Sequence, residues 1–280
     1  MNILLEILKA IVIGIVEGIT EWLPVSSTGH MILVDELVKL NVSDAFLEMF
    51  LVVIQLGAIC AVPVLFWDRL FPFSKSKTQE QKKATFGIWG KVIVGAIPAA
   101  ALGLLLDDLL DKYLYSYIVV AIALIVYGVG FIIVEKIKAE KDFAINSVED
   151  MTYIDALKIG AFQCLSLVPG TSRSGSTILG GMICNVSRSA SAEFSFFMAI
   201  PIMLGASGLK LLKFILEGVT ASWEEILLLF VGMVVSFLVS FFVIRFLMDF
   251  VKRNSFKIFG IYRIALGAIV IVYFVIKSLI

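Results

Sequence analysis

The stretch "VEGITEWLPVSSTGH" holds Glu17 and Glu21, then Ser26, Ser27, Thr28 and His30, the only histidine of the chain. Carboxylates four residues apart share one face of a helix, where like charges repel. In a low-dielectric setting such a pair calls for a proton, a metal ion or an arginine. Pro24 ends the helix. The hydroxyls behind it suit the cap of a following helix, but capping needs neither the glutamates nor His30. A second stretch, "VPGTSRSGST", runs from Val168 to Thr177. Pro169 and Gly170 break a helix, and Ser172, Ser174 and Thr177 surround the start of the next one. A helix N-terminus offers free N–H groups and a positive dipole end to an anion. Arg173 adds a planar fork of donors that matches phosphate or carboxylate. The plainer reading of Arg173 is an internal pair with Glu17 or Glu21, and the two coexist if an arriving anion displaces that pair. Acids, hydroxyls and a histidine beside an anion cradle point to phosphoryl transfer by positioning and charge stabilisation.

The elements that carry these residues belong in a membrane. Sixty per cent of the 280 residues are hydrophobic and mean hydropathy is +1.02, above the range of soluble domains. Apolar runs of bilayer-spanning length recur, without the alternation of an outer-membrane barrel. The fold class expected is an all-α polytopic membrane protein. Formal net charge is zero, so total charge does not indicate a partner. Cys60, Cys164 and Cys184 lack metal-ligand spacing and imply no disulfide framework. The N-terminal run resembles a signal peptide, but Glu17 and Glu21 follow it with no cleavage pattern, so it reads as mature structure.

Apolar segments fall near 3–20, 25–40, 45–67, 87–106 and 115–135, then, beyond a polar linker, near 153–168, 174–186, 191–214, 224–248 and 257–279. The first two of each set are short or interrupted, and the last three are long enough to span. Residues 13–30 also align with 159–176: Ile13 and Gly14 meet Ile159 and Gly160, Glu17 meets Gln163, Ser26 meets Ser172, and Gly29 meets Gly175. The chain therefore reads as one membrane domain, 1–280, with repeat halves 1–135 and 153–280 joined by linker 136–152. Each half holds an odd number of crossings, so the second inserts upside down. Each contributes a broken re-entrant hairpin and three full spans. Paired interrupted segments in such inverted repeats point to a midplane site. Loops 68–91, 136–158 and 249–257 gather Lys and Arg on one face, while Asp107, Asp108, Asp111, Glu217, Glu224 and Glu225 lie on the other. By the positive-inside rule the basic face is cytoplasmic. Both termini and the mouth of the site then face outward.

The two motifs resemble those of the bacterial undecaprenyl-pyrophosphate phosphatase family, the integral-membrane, bacitracin-resistance type. Its E-x-x-x-E motif is matched by Glu17 and Glu21, its W-L-P-x-S-S-T-G-H by Trp22 to His30, and its P-G-x-S-R-S-x-x-T by Pro169 to Thr177. The resemblance extends through "GAIPAAALGLL" and "AEFSFFMAIPIMLGA" and shows no departure at the motif positions. It implies hydrolysis of undecaprenyl pyrophosphate to undecaprenyl phosphate in the bacterial cytoplasmic membrane, which recycles the carrier of cell-wall synthesis, and a bacitracin-resistance role. It also implies a divalent cation, Mg or Ca, with Glu17 and Glu21 as metal ligands or as the base. Ser27 is then the nucleophile with His30 as proton carrier, or His30 is itself the nucleophile. Ser26, Thr28, Gly170, Ser172, Arg173, Ser174 and Thr177 are the expected phosphate-binding residues. The expected partners are a polyprenyl pyrophosphate and membrane lipids, not nucleic acid, with a homodimer left open. Acid-phosphatase-like membrane enzymes need two histidines, and a single His30 excludes them. The competing class is a secondary transporter or lipid flippase, which needs the anion cradle but no nucleophile.

Overall fold

A computed structural model describes residues 2–114, 116–138 and 142–279, with only the backbone of 107–112. The side chains of Asp107, Asp108, Asp111 and Lys112, and Lys141 altogether, lie outside the described residues. The first half consists of α1 (Ile3–Thr20), α2 (Ser27–Leu37), α3 (Asp44–Leu65), the single turn α4 (Trp67–Leu70), α5 (Gln79–Leu114) and α6 (Tyr117–Lys138). The second consists of α7 (Tyr153–Gln163), a 3-10 turn (Cys164–Leu167), α8 (Arg173–Ile183), α9 (Arg188–Leu216), α10 (Trp223–Val251) and α11 (Lys257–Leu279). Six helices, α3, α5, α6, α9, α10 and α11, are long and apolar enough to cross a membrane. The protein is an all-helical, multi-pass membrane protein.

Local signals set the boundaries. Ser43 caps α3 by accepting from the Phe46 N–H at 3.2 Å, and α7 and α10 open with capping boxes, Thr152 with Asp155 and Ser222 with Glu225. α5 begins at Gln79, ahead of the apolar run first visible near 87, because the polar turn Glu80–Lys83 is also helical. The linker is less free than its polarity suggests. Ile145 pairs with the chain at 185–187, accepting from Ser187 N–H at 2.8 Å and donating to Asn185 O at 3.2 Å, and Val148 and Met151 are buried.

The two interrupted hairpins are each clasped by the other half. α1 packs against α10, and α7 packs against α5. The approach is close where the aligned glycines fall. A Cβ on Gly14 would sit 2.8 Å from Gly232 O, and one on Gly160 would sit 2.2 Å from Gly95 O. Small residues let backbones meet where lipid supplies no hydrophobic drive between helices. At one end of the bundle Arg69 bridges Glu149 and Glu193, and Glu135 holds Arg188 and the Phe256 N–H. These contacts gather the basic segments around 69, 149 and 256. Near the other end Lys9 donates to Lys39 O and Lys277 pairs with Glu36, so both terminal helices anchor beside the end of α2.

Candidate active site

The chain breaks after α1 and before α8 have the same shape. Ser26 and Ser172 both hold φ of +74°, a left-handed setting unusual for a residue with a Cβ. Each is the N-cap of its helix. Ser26 Oγ accepts from Gly29 N–H at 3.3 Å, and Ser172 Oγ accepts from Gly175 N–H at 3.1 Å. Strain of this kind persists only where surrounding structure enforces it, and it concentrates at functional sites. Gly170, at φ +91°, allows the chain to pass so close to α6 that a Cβ would lie 2.5 Å from Val120 O.

The two breaks meet. Arg173, at the first turn of α8, donates from Nε and Nη2 to Glu21 Oε1 at 3.2 and 3.1 Å. Its Nη1 donates to Ser195 O at 2.9 Å, and its guanidinium lies 5.7 Å over the Trp22 ring. The other oxygen of Glu21, Oε2, accepts the Ser27 hydroxyl at 3.1 Å. One carboxylate thus joins the arginine to the serine. The hydroxyl of Ser174 reaches across to Glu21 O at 3.0 Å and Leu23 O at 3.2 Å, stitching the second break to the first. Thr177 is buried against Ser195, with 2.6 Å between the hydroxyls.

His30 is half-buried and its two ring nitrogens have different partners. Nδ1 lies 2.7 Å from Ser26 O, which only accepts, so this nitrogen carries the proton. In neutral imidazole Nε2 is then the acceptor, and the Tyr262 hydroxyl donates to it at 2.7 Å. Both residues line a groove of about 320 Å³ whose other walls are Ile19, Thr20, Leu23, Val25, Phe246, Phe250, Ile258 and Phe259. That groove is apolar except at the His30 end.

The structure brings Glu21, Ser27, Arg173 and Ser174 into one hydrogen-bonded cluster, with Ser26, Gly170, Ser172 and Thr177 shaping its two breaks. Thr28 is half-buried one residue beyond Ser27. Ser172 uses its hydroxyl on capping and Ser174 on joining the hairpins, while Thr177 donates to Arg173 O and to Ser195 on α9. Glu17 is buried one turn before Glu21, and its Oε1 has no hydrogen-bond partner. Its aligned counterpart Gln163 is fully buried with both amide atoms unpartnered. Three residues were missed from the sequence: Ser195, Tyr262 and Arg263. Ser195 and Tyr262 carry no sequence signal. Arg263 does carry one, being an arginine inside an apolar span.

Residues 10–269 match the family described as Bacitracin resistance protein BacA. The chain belongs to that family. Relatives of this BacA chain named undecaprenyl-diphosphatase occur in Acetivibrio thermocellus, 57% identical over 97% of this chain and 98% of the relative, and in Enterococcus faecalis, 56% identical over 95% and 96%. A third, from Desulfitobacterium hafniense, is 53% identical over 99% of both chains. The match runs through both hairpins, so the whole BacA site lies within it.

Proposed function

We propose that this BacA-family protein hydrolyses undecaprenyl pyrophosphate to undecaprenyl phosphate and inorganic phosphate. The observation that carries the reading is the Glu21 carboxylate, held between the Arg173 guanidinium and the Ser27 hydroxyl beside an apolar groove. An incoming pyrophosphate is a better match for Arg173 than a single carboxylate oxygen, because guanidinium donors pair with phosphate bidentately. Displacing that contact leaves Glu21 hydrogen-bonded to Ser27 and able to take its proton. Ser27 Oγ then bonds to the terminal phosphorus. The bridging P–O bond breaks, and its electron pair leaves with undecaprenyl phosphate. In the second step water attacks the phosphoserine, giving its proton to His30 Nε2, while Ser27 Oγ recovers its proton from Glu21. The Tyr262 hydroxyl connects His30 to the groove for onward proton release. Ser27 is favoured over His30 as nucleophile because its hydroxyl already donates to a carboxylate that can take its proton, Glu21 Oε2 at 3.1 Å. The N-terminal turn of α8 and Arg173 stabilise charge on the phosphoryl oxygens. The groove ending at His30 suits the first isoprene units of the lipid.

The acid pair suits a divalent cation, Mg or Ca. Glu17 Oε1 is buried without a hydrogen-bond partner, and hard cations take carboxylate oxygens. Among the described residues no three His, Cys, Asp or Glu groups converge. Such an ion would be held by Glu17 and Glu21. When bound it supplies charge neutralisation at the pyrophosphate.

The two alike hairpins, each held by the opposite half, support an inverted repeat with its site near mid-membrane. We assign the basic end to the cytoplasm of a bacterial inner membrane and the termini to the outside. The test is phosphate release from C55 or C15 pyrophosphate by purified protein, with Mg or Ca present. Release supports the reading. No release with any divalent metal overturns it in favour of lipid or anion transport through the same site.

A further inference from the structure

Arg263 is fully buried on α11, and among the described residues it takes part in no ion pair with a carboxylate. Its donors go to backbone. Nη1 donates to Pro24 O at 3.2 Å, and Nη2 donates to Gly170 O and Thr171 O, both at 2.9 Å. These carbonyls sit in the two chain breaks, where the helical ladder no longer supplies an N–H. The guanidinium also packs against the first turn of α8, since a Cβ on Gly175 would lie 3.2 Å from Nη1, and it covers the Tyr127 ring at 5.7 Å. One side chain from a third element therefore touches both breaks. Pro24 lies three residues before Ser27, and Thr171 lies two before Arg173.

We propose that Arg263 is a positioning residue: its guanidinium locks the two chain breaks together and so sets the register of Ser27 and Glu21 against Arg173. The inference rests on the phosphatase reading for its consequence, although the clamp itself is a statement about geometry. Two features argue for positioning over substrate contact. Both terminal nitrogens are already committed to carbonyls, leaving only Nε unpartnered. The planar fork spans three carbonyls on two segments, which a lysine ammonium on a flexible stem does not reproduce. A buried cation in a membrane span is costly, and its retention needs a specific return. Here the return is the satisfaction of carbonyls that the broken helices expose.

The test uses Arg263→Met and Arg263→Lys in the full chain, with folding checked by helicity and monodispersity. Arg263→Gln substitutes where Arg263→Met yields no folded protein. Two readouts are taken. The first is kcat and KM for C15 pyrophosphate per folded molecule. A displacement of about 1 Å in a reacting group costs on the order of 100-fold, so kcat falls by about that factor in Arg263→Met while KM stays within about threefold. Arg263→Lys recovers less than about a tenth of the wild-type rate, because it restores charge without the fork. The second readout does not depend on activity. Spin labels at Leu37→Cys and Ile183→Cys, with Cys60, Cys164 and Cys184 replaced by alanine, report the distance between α2 and α8. The distribution is narrow with Arg263 and broadens in Arg263→Met. Retention of more than a third of wild-type kcat, a full rescue by lysine, or an unchanged distance distribution each overturns the proposal. If the wild-type protein itself releases no phosphate, the phosphatase reading fails, and the spin-label distances alone decide the clamp.

Discussion

Glu21 is the residue through which the others are connected, and this decides how single substitutions behave. Its Oε1 holds Arg173 and its Oε2 holds Ser27. Removing Arg173 takes away the phosphate partner and leaves a buried carboxylate without its cation. Loss of one preorganised donor at a transition-state oxyanion costs roughly 100- to 1,000-fold, and here a full charge goes with it. Arg173→Ala is therefore expected to lower kcat/KM by at least about 1,000-fold, checked by phosphate release at saturating and limiting substrate. An Arg173→Ala enzyme at near-wild-type rate removes that residue from the site. Ser27 and His30 are separated by a covalent trap. Enzyme quenched in denaturant at mildly alkaline pH, which spares phosphohistidine as well as phosphoserine, and mapped by mass spectrometry, is expected to carry phosphate on Ser27, and to carry none after Ser27→Ala. His30→Ala should accumulate phosphoserine, because it slows the second step. Phosphohistidine at position 30 reverses the assignment. These residue types were legible in the sequence because intramembrane acids, an arginine and a lone histidine stand out against an apolar background. Their wiring was not legible. Nothing in the spacing of Glu17 and Glu21 says which of them takes Arg173, and the choice depends on how α1 ends and α8 begins.

At the scale of elements, the hairpins are short pieces that do not span by themselves. α2 and α8 are 11 residues each, and at 1.5 Å per residue neither crosses a bilayer core of about 30 Å. The helices that lead into them, α1 and α7, are positioned by long helices from the opposite half, α10 and α5, through close backbone crossings. Gly160 against Gly95 is the tightest case at the second hairpin, with 2.2 Å from a notional Cβ to a carbonyl oxygen. A backbone atom cannot rotate away, so Gly160→Ala must push α7 off α5. Overpacking of this kind costs about 1–3 kcal/mol. Gly160→Ala should lower the thermal midpoint and reduce activity, because α7 leads directly to the Arg173 break. Gly205→Ala is the matched control, since nothing lies within 4 Å of a Cβ there, and it should leave the midpoint unchanged or slightly raised. Equal melting of the two variants would show that the crossing does not hold the hairpin. The helices, their order and the broken pair were readable from hydropathy, Pro and Gly. The pairing of α1 with α10 and of α7 with α5 was not, because the glycines mark a close approach without naming the partner. Arg263 illustrates the same limit: an arginine in a span is visible, but its carbonyl partners lie in segments remote in sequence.

Across the whole molecule, the remaining question is which end of the bundle faces the cytoplasm, and hence from which side the lipid pyrophosphate arrives. The contacts divide the ends cleanly. Arg69 with Glu149 and Glu193, and Glu135 with Arg188, gather the basic segments at one end. Lys9 at Lys39 and Lys277 at Glu36 place the two terminal helices at the other. A charge asymmetry of this kind is set during insertion, when Lys and Arg in short loops resist translocation. Single cysteines at Ser76→Cys and Ser278→Cys, in a background freed of Cys60, Cys164 and Cys184, sit in exposed positions at opposite ends. In intact cells a membrane-impermeant maleimide should label position 278 and not position 76, and permeabilised cells should label both. Labelling of position 76 from outside would turn the whole assembly over. The groove beside His30, walled by Phe246, Phe250, Ile258 and Phe259 next to loop 249–257, would then face the outer leaflet.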